Sequence, residues 1–261
     1  MTQHDVMAVA LRQSARDCNC RAEDFLREEN VYVASEPNPG ARRYLSLPLV
    51  CDIVSYGANA VISGDPALLP VIRACVEGME APCRAFETPG VYALNRVLEP
   101  AGARVCFMAD YFLPDLGAVE SARADCAFDL RVLQREALSG LYSSQWHNAL
   151  SFGSPELNVL AVGAYAGDAL VGLAGCSADC EDMWQIGVDV LPGFRHRGVA
   201  AAMTNRLARE ILARGKVPFY CAAWSNVPSV RNAIRAGFRP GWVEITAKPN
   251  AFIESMDRPR A

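Results

Sequence analysis

The chain has 261 residues, of which 51% are apolar, 21% charged and 8% aromatic. That suffices for one large domain or two modest ones and excludes a disordered chain, a collagen-like repeat and a coiled coil. The 25 basic and 29 acidic residues leave a formal net charge of -4, far from the concentrated basic face that a nucleic-acid backbone demands, so no nucleic-acid partner is expected.

Met1 to Asp5 carries neither the basic start nor the apolar run of a secretory signal. Ten cysteines are scattered along the chain rather than set out as a disulfide framework. A reducing, cytoplasmic setting with most thiols acting as small core residues is the expectation. Cys18-x-Cys20 and Cys176-x-x-x-Cys180 lack the paired spacing of structural zinc sites, and the 3 histidines are His4, His147 and His196; no metal site is predicted. Asp or Arg interrupts every apolar run before it reaches about 20 residues, so no membrane partner is expected.

In chain order, Asp5 is read as the cap of a helix carrying Val6, Val9 and Ala10, and Val31 to Val33 has strand composition. Gly64-Asp65-Pro66 opens a helix through Leu69, Ile72 and Val76; Thr88-Pro89 opens another through Val91, Leu94, Val97 and Leu98. Val105 to Met108 reads as a strand. Asp52, Tyr56 and Asn59 are expected to serve the core or the surface rather than a pocket. Pro and Gly punctuate Phe112 to Gly117, and the polar stretch Glu120 to Asp125 follows. The expected division is therefore an auxiliary α/β domain over residues 1–118 and a second domain over 119–261.

The second half is more legible. Phe128 to Leu133 reads as a strand and Arg135 to Leu150 as a helix. Val159 to Tyr165 and Ala169 to Ala174, joined through Gly167, read as an antiparallel hairpin. A strand from Met183 to Val190 ends at Pro192-Gly193. Val199, Met203, Leu207 and Ile211 then recur on one helical face, and Gly215 stops that helix. Val217 to Trp224 reads as a strand, and Ser225-Asn226-Val227-Pro228 begins a last helix that ends at Ala236-Gly237-Phe238.

A strand that turns through glycine straight into a helix makes an anion site. The first N–H groups of the helix lack internal partners, and the helix dipole places positive charge at the same end. Gly198 and Ala200 leave room for a phosphate beside the backbone, and the Arg195 and Arg197 guanidinium groups suit its oxygens. The chemistry says phosphate without saying whose.

This ordered set resembles the GNAT N-acetyltransferase superfamily, over roughly residues 125–245. Trp184 to Ala200 looks like its fourth strand and pyrophosphate loop, with Arg195, Gly198 and Ala200 at the Gln/Arg-x-x-Gly-x-Gly/Ala positions. Ser225 to Ser229 and Ala236-Gly237-Phe238 resemble its later Asn-x-x-Ser and Gly-Phe elements. The first half is faintly similar to a diverged partner domain of a two-domain GNAT subfamily. The resemblance implies an α/β fold with a mixed, mostly antiparallel sheet flanked by helices, and acetyl-CoA as acyl donor. It places the pantetheine arm along Val188, Asp189 and Val190, and the pyrophosphate on Arg195, His196, Arg197, Gly198, Val199 and Ala200. It puts Asn226 and Ser229 beside the thioester, and the Val188 N–H on the oxyanion.

Direct attack by an amine requires a base, and Glu181 and Asp182, at the entry to that strand, are the carboxylates nearest in sequence. Ala233 stands where a tyrosine acid is common in the family, leaving Ser229, Tyr220 or water to protonate the sulfur. His147, within Gln145 to Asn148, would border the acceptor side and is read as a partly buried structural residue. His196 is read as a phosphate neighbour, Cys176 and Cys180 as unactivated, and Trp184 and Trp224 as packing residues.

The expected activity is an acyl-CoA-dependent N-acyltransferase with a primary amine as acceptor. A non-catalytic acyl-CoA-binding regulatory module is the alternative. A different nucleotide enzyme ranks last, because the chain has neither a Gly-x-x-x-x-Gly-Lys-Ser/Thr loop nor Gly-x-Gly-x-x-Gly. The acceptor stays open, and so does a homodimer.

Overall fold

The structure is a computed structural model that describes residues 1–122 and 126–256. Thr2 and Asp5 cap each other: the Thr2 N–H donates to the Asp5 carboxylate at 2.7 Å, and the Asp5 N–H donates to Thr2 Oγ1 at 3.2 Å. The cap expected of Asp5 is thus shared, in the arrangement of a capping box. It opens α1, Gln3–Cys18. Strands β1 (Val31–Ala34), β2 (Cys51–Ser55) and β3 (Val61–Gly64) follow. Next come α2 (Leu69–Glu77), α3 (Thr88–Leu98) and the long strand β4 (Ala103–Pro114). Asp115 caps α4 (Leu116–Ser121) by accepting from the Ala118 N–H at 3.0 Å. Residues 123–125 of the polar stretch lie outside the described residues.

The second half runs β5 (Asp129–Gln134), β6 (Asn158–Ala166), β7 (Ala169–Ser177) and β8 (Met183–Val190). It continues through α5 (Val199–Ala213), β9 (Val217–Ala223) and α6 (Val227–Arg235), then β10 (Phe238–Pro249) and α7 (Asn250–Met256). The expected helix over Arg135 to Leu150 is absent. In its place are two single 3-10 turns, Arg135–Leu138 and Ser144–Trp146, because Gly140 and the serines at 139, 143 and 144 favour turns over a continuous helix. The helix ending at Gly237 is likewise not the last; β10 and α7 come after it.

Two compact units result: Met1–Val9 with Tyr111–Pro240, and Ala10–Asp110 with Gly241–Ala261. The border read from the sequence at 118 falls inside the first of these. Residues beyond 240 group with the early part of the chain because β10 pairs antiparallel with β2, from Val243 opposite Ser55 to Ala247 opposite Cys51.

Ala10–Asp110 with the chain's end builds a sheet in which β3 pairs parallel with β1 and antiparallel with β2. Ile53, Ile62, Ile72, Val76, Leu94, Leu98 and Ile245 form its core. Asp52, Tyr56 and Asn59 have inward roles, as expected. Asp52 accepts from Thr246 Oγ1 at 2.7 Å, the Tyr56 hydroxyl meets Ser14 Oγ at 2.8 Å, and Asn59 Nδ2 donates to the Asp24 and Glu29 carbonyls.

In the other unit, β5 to β8 form an antiparallel meander, and β9 joins β8 in parallel. The α/β class and the mixed, mostly antiparallel sheet expected from the sequence are both present. Val199, Met203, Leu207 and Ile211 are each at most 2% exposed and pack with Val162, Ile186 and Phe238. The four-residue spacing read from the sequence is the buried face of α5.

Candidate functional site

The site arises where β8 and β9 part company. Their parallel register runs from Met183 opposite Val217 to Ile186 opposite Tyr220 and ends there. Beyond it, Gly187 to Val190 stay paired on their other side with β7, Gly172 to Gly175. Among the described residues they have no ladder partner on the β9 side. A cavity of about 620 Å³ opens at this fork. Val188, Asp189 and Val190 line it from β8, Tyr220 from β9, Arg195 to Ala201 except Arg197 from the turn and the start of α5, and Ser229 with Asn232 from α6.

The turn is shaped by its left-handed residues. Gly198 precedes α5 with φ +78°, and His196 has φ +63°. Glycine takes this conformation freely, whereas for His196 it costs about 1–2 kcal/mol. Because Gly198 brings no side chain to the mouth of α5, the first N–H groups of the helix face the cavity uncapped. The surroundings add positive charge. Arg195 holds the turn by donating Nε–H to the Val190 carbonyl at 3.0 Å. The Arg197 guanidinium lies over the Phe194 ring at 5.8 Å, and Phe194 in turn meets Phe128 edge-on at 5.7 Å.

The opposite wall rests on two glycines. Gly175 and Gly187 face each other across β7 and β8. A Cβ on Gly175 would stand 2.1 Å from the Ala149 carbonyl oxygen, and one on Gly187 would stand 1.8 Å from that of Asn148. The pair therefore opens a slot on the sheet into which the Asn148–Ala149 backbone fits. Asp189 pins the same segment. Its carboxylate accepts from the Asn148 N–H (2.8 Å), the Asn148 side-chain amide (2.7 Å) and the Ala149 N–H (2.9 Å).

The sequence-derived candidates divide accordingly. Val188, Asp189, Val190, Arg195, His196, Gly198, Val199, Ala200 and Ser229 meet around one cavity. Arg197 is held beside it against Phe194. Asn226 serves as the cap of α6, accepting from the Ser229 N–H at 3.2 Å, and is not among the lining residues. Glu181 and Asp182 are not brought there either. Asp182 lies at the other end of β8, 3.7 Å from Lys216, and the rise from Met183 to Val188 is about 16 Å.

Other expectations shift. His147 is exposed and meets the Ser144 carbonyl through Nδ1 at 2.9 Å; its neighbour Asn148 is the one that reaches the cavity. Trp224 is 63% exposed and packs little, whereas Trp184 packs against the core as expected. Cys176 is buried, which pushes its thiol well above the usual range, so it is no thiolate.

Four contributors went unread: Asn148, Asn232, Arg231 and Arg235. The last two left a trace in the sequence. Two arginines four residues apart, with no acid between them, repel on a helix unless something anionic lies alongside. Burial raises the Tyr220 phenol above its ordinary value, with hydrogen bonding to Ser229 and Asn232 acting the other way; the hydroxyl keeps its proton at neutral pH.

No family model and no curated protein matches the chain. Similar solved structures include a GCN5-related N-acetyltransferase-like protein from Streptococcus suis, 19% identical over 60% of this chain and 68% of its own, with a TM-score of 0.45. A GCN5-related N-acetyltransferase from Kribbella flavida is 15% identical over 59% of this chain and 62% of its own, with a TM-score of 0.46. The aminoglycoside N-acetyltransferase AAC(6')-Iy, in complex with CoA, is 21% identical over 44% of this chain and 90% of its own, with a TM-score of 0.35.

Proposed function

We propose that the chain is an acyl-CoA-dependent N-acyltransferase whose donor, acetyl-CoA, lies in the fork between β8 and β9. One observation carries this reading: the bare edge of β8 and the Gly198 mouth of α5 open into the same cavity. An extended amide-bearing arm can add to the edge as a strand would, while a diphosphate meets the helix amides beside Arg195.

The amine nitrogen attacks the thioester carbonyl, a C–N bond forms, the C–S bond breaks and CoA leaves as its thiolate. The negative charge that develops on the carbonyl oxygen falls to the Val188 N–H. The departing sulfur takes a proton from the Tyr220 hydroxyl, which lines the same cavity and which solvent recharges. A free thiol has a pKa of about 8.5, so this demand is modest. The carboxylate lining the cavity, Asp189, is tied into the wall by three donors. The amine therefore gives its proton to solvent, and the rate constant at low amine concentration climbs with pH until the acceptor itself is deprotonated.

The test is a calorimetric titration with acetyl-CoA followed by a screen of primary amines read out as free thiol. Binding with amine-dependent thiol release is expected. No binding sinks the reading. Binding without release for any amine favours the regulatory module, toward which Ala233 and the occupied Asp189 lean.

A further inference from the structure

The α6 wall of the cavity has a feature that the diphosphate leaves unused. Arg231 and Arg235 are four residues apart, which places them about 6 Å from each other along one side of the helix. Both are exposed, both line the cavity, and neither has an ion-pair partner among the described residues. The acid that lines the same cavity, Asp189, is engaged by Asn148 and Ala149. Left alone, two cations at this spacing weaken their helix.

Between them, Asn232 is 9% exposed and lines the same cavity. Its Nδ2 donates to Thr204 Oγ1 at 3.1 Å, while Oδ1 has no hydrogen-bond partner. A buried acceptor in that state costs stability unless a hydroxyl or amide of a ligand fills it. Two guanidinium groups with no ion-pair partner among the described residues, lining one cavity with an unfilled acceptor, suit a phosphate ester next to a hydrogen-bond donor. These residues belong to α6, whereas the diphosphate is assigned to the mouth of α5, a different helix lining the same cavity.

We infer that Arg231 and Arg235 form a second phosphate site that binds a monophosphate ester set apart from the diphosphate; in CoA this is the phosphate on the ribose 3'-oxygen. The inference rests on the acyl-CoA reading and narrows it. A terminal phosphate monoester carries about -1.5 to -2 charges on three free oxygens, against about one per phosphorus in a diphosphate, so it is the strongest partner CoA offers a guanidinium pair. The donor is thereby free acyl-CoA, rather than an acyl-pantetheine attached to a carrier protein, which lacks that group.

The test titrates the full chain with CoA and with 3'-dephospho-CoA. CoA is expected to bind at least tenfold more tightly. The double variant Arg231→Gln with Arg235→Gln, at exposed positions, should bring CoA down to the affinity of dephospho-CoA and leave dephospho-CoA within about twofold of its original value. Equal affinities in the unaltered protein, or equal losses for both ligands in the variant, overturn the second site while the acyl-CoA reading stands. Failure of the unaltered protein to bind either ligand overturns both.

Discussion

Gly187 and Gly175 hold the wall of the cavity by having nothing to offer. Replacing Gly187 with Ala puts a methyl group 1.8 Å from the Asn148 carbonyl oxygen, so either the 148–149 segment lifts or β8 bends. Overpacking of this kind costs about 1–3 kcal/mol, and in a unit of this size each kcal/mol lowers the melting temperature by about 2–4 °C. A melting temperature within a degree of the original would show that the slot is not tight. Asp189→Asn attacks the same wall from its tether: the amide keeps one acceptor where three donors converge, at a cost of about 2 kcal/mol. Gly198→Val differs in kind. A β-branched side chain resists φ +78° and projects at the amides of α5. Acetyl-CoA affinity should fall at least tenfold in calorimetry, a larger loss than the change in folding stability; unaltered affinity would remove the diphosphate from that turn.

Elements whose local chemistry agreed with their surroundings were legible in the sequence. The β6–β7 hairpin, β8, α5 and β9 each combine one clear period with glycine or proline stops, and their observed bounds fall within a residue or three of those expected. Others were hidden by burial on both faces or by mixed composition. β2 and β3 are short, fully buried and contain Asp52 and Ser63. After Phe238, β10 continues with Arg239-Pro240-Gly241 and includes Glu244 and Lys248, a surface-like string whose inner face shows only once β2 is beside it. The site was half legible for the same reason. The anion turn is a local motif, so Arg195 to Ala200 could be read directly. Glu181 and Asp182 were chosen by proximity in sequence, which runs the wrong way along a strand: the cavity opens at the far end. Asn226 illustrates an element-scale role. As the cap of α6 it carries about 1 kcal/mol, so Asn226→Ala should lower the melting temperature by a few degrees and weaken acetyl-CoA binding less than Gly198→Val does. The reverse ranking would return Asn226 to the cavity.

At the scale of the whole molecule, charge is distributed unevenly. A chain with a net charge of -4 gathers Arg195, Arg231 and Arg235 around one cavity, while its other unit buries acids. There Arg42 donates to Asp17 at 2.6 Å and to Glu244 at 3.0 Å. Burial, then the neighbouring Glu244 carboxylate, hold the Asp52 carboxyl well above its usual range. A carboxyl raised on folding contributes stability that is whole below its ordinary value and is lost as pH climbs through the raised one. Asp52→Asn stays neutral throughout, so by urea denaturation it should gain on the unaltered protein as pH rises above the ordinary carboxylate range; a pH-independent difference would show that folding does not raise Asp52. The fork between β8 and β9 carries a different consequence. Beyond Ile186 the edge of β8 has no ladder partner on the β9 side among the described residues, although the Val190 carbonyl accepts from Arg195, and open edges recruit strands from other molecules. A bound cofactor arm would act as a chaperone for its own binding site, so concentrated protein stripped of acyl-CoA should self-associate sooner in light scattering than the same protein saturated with it.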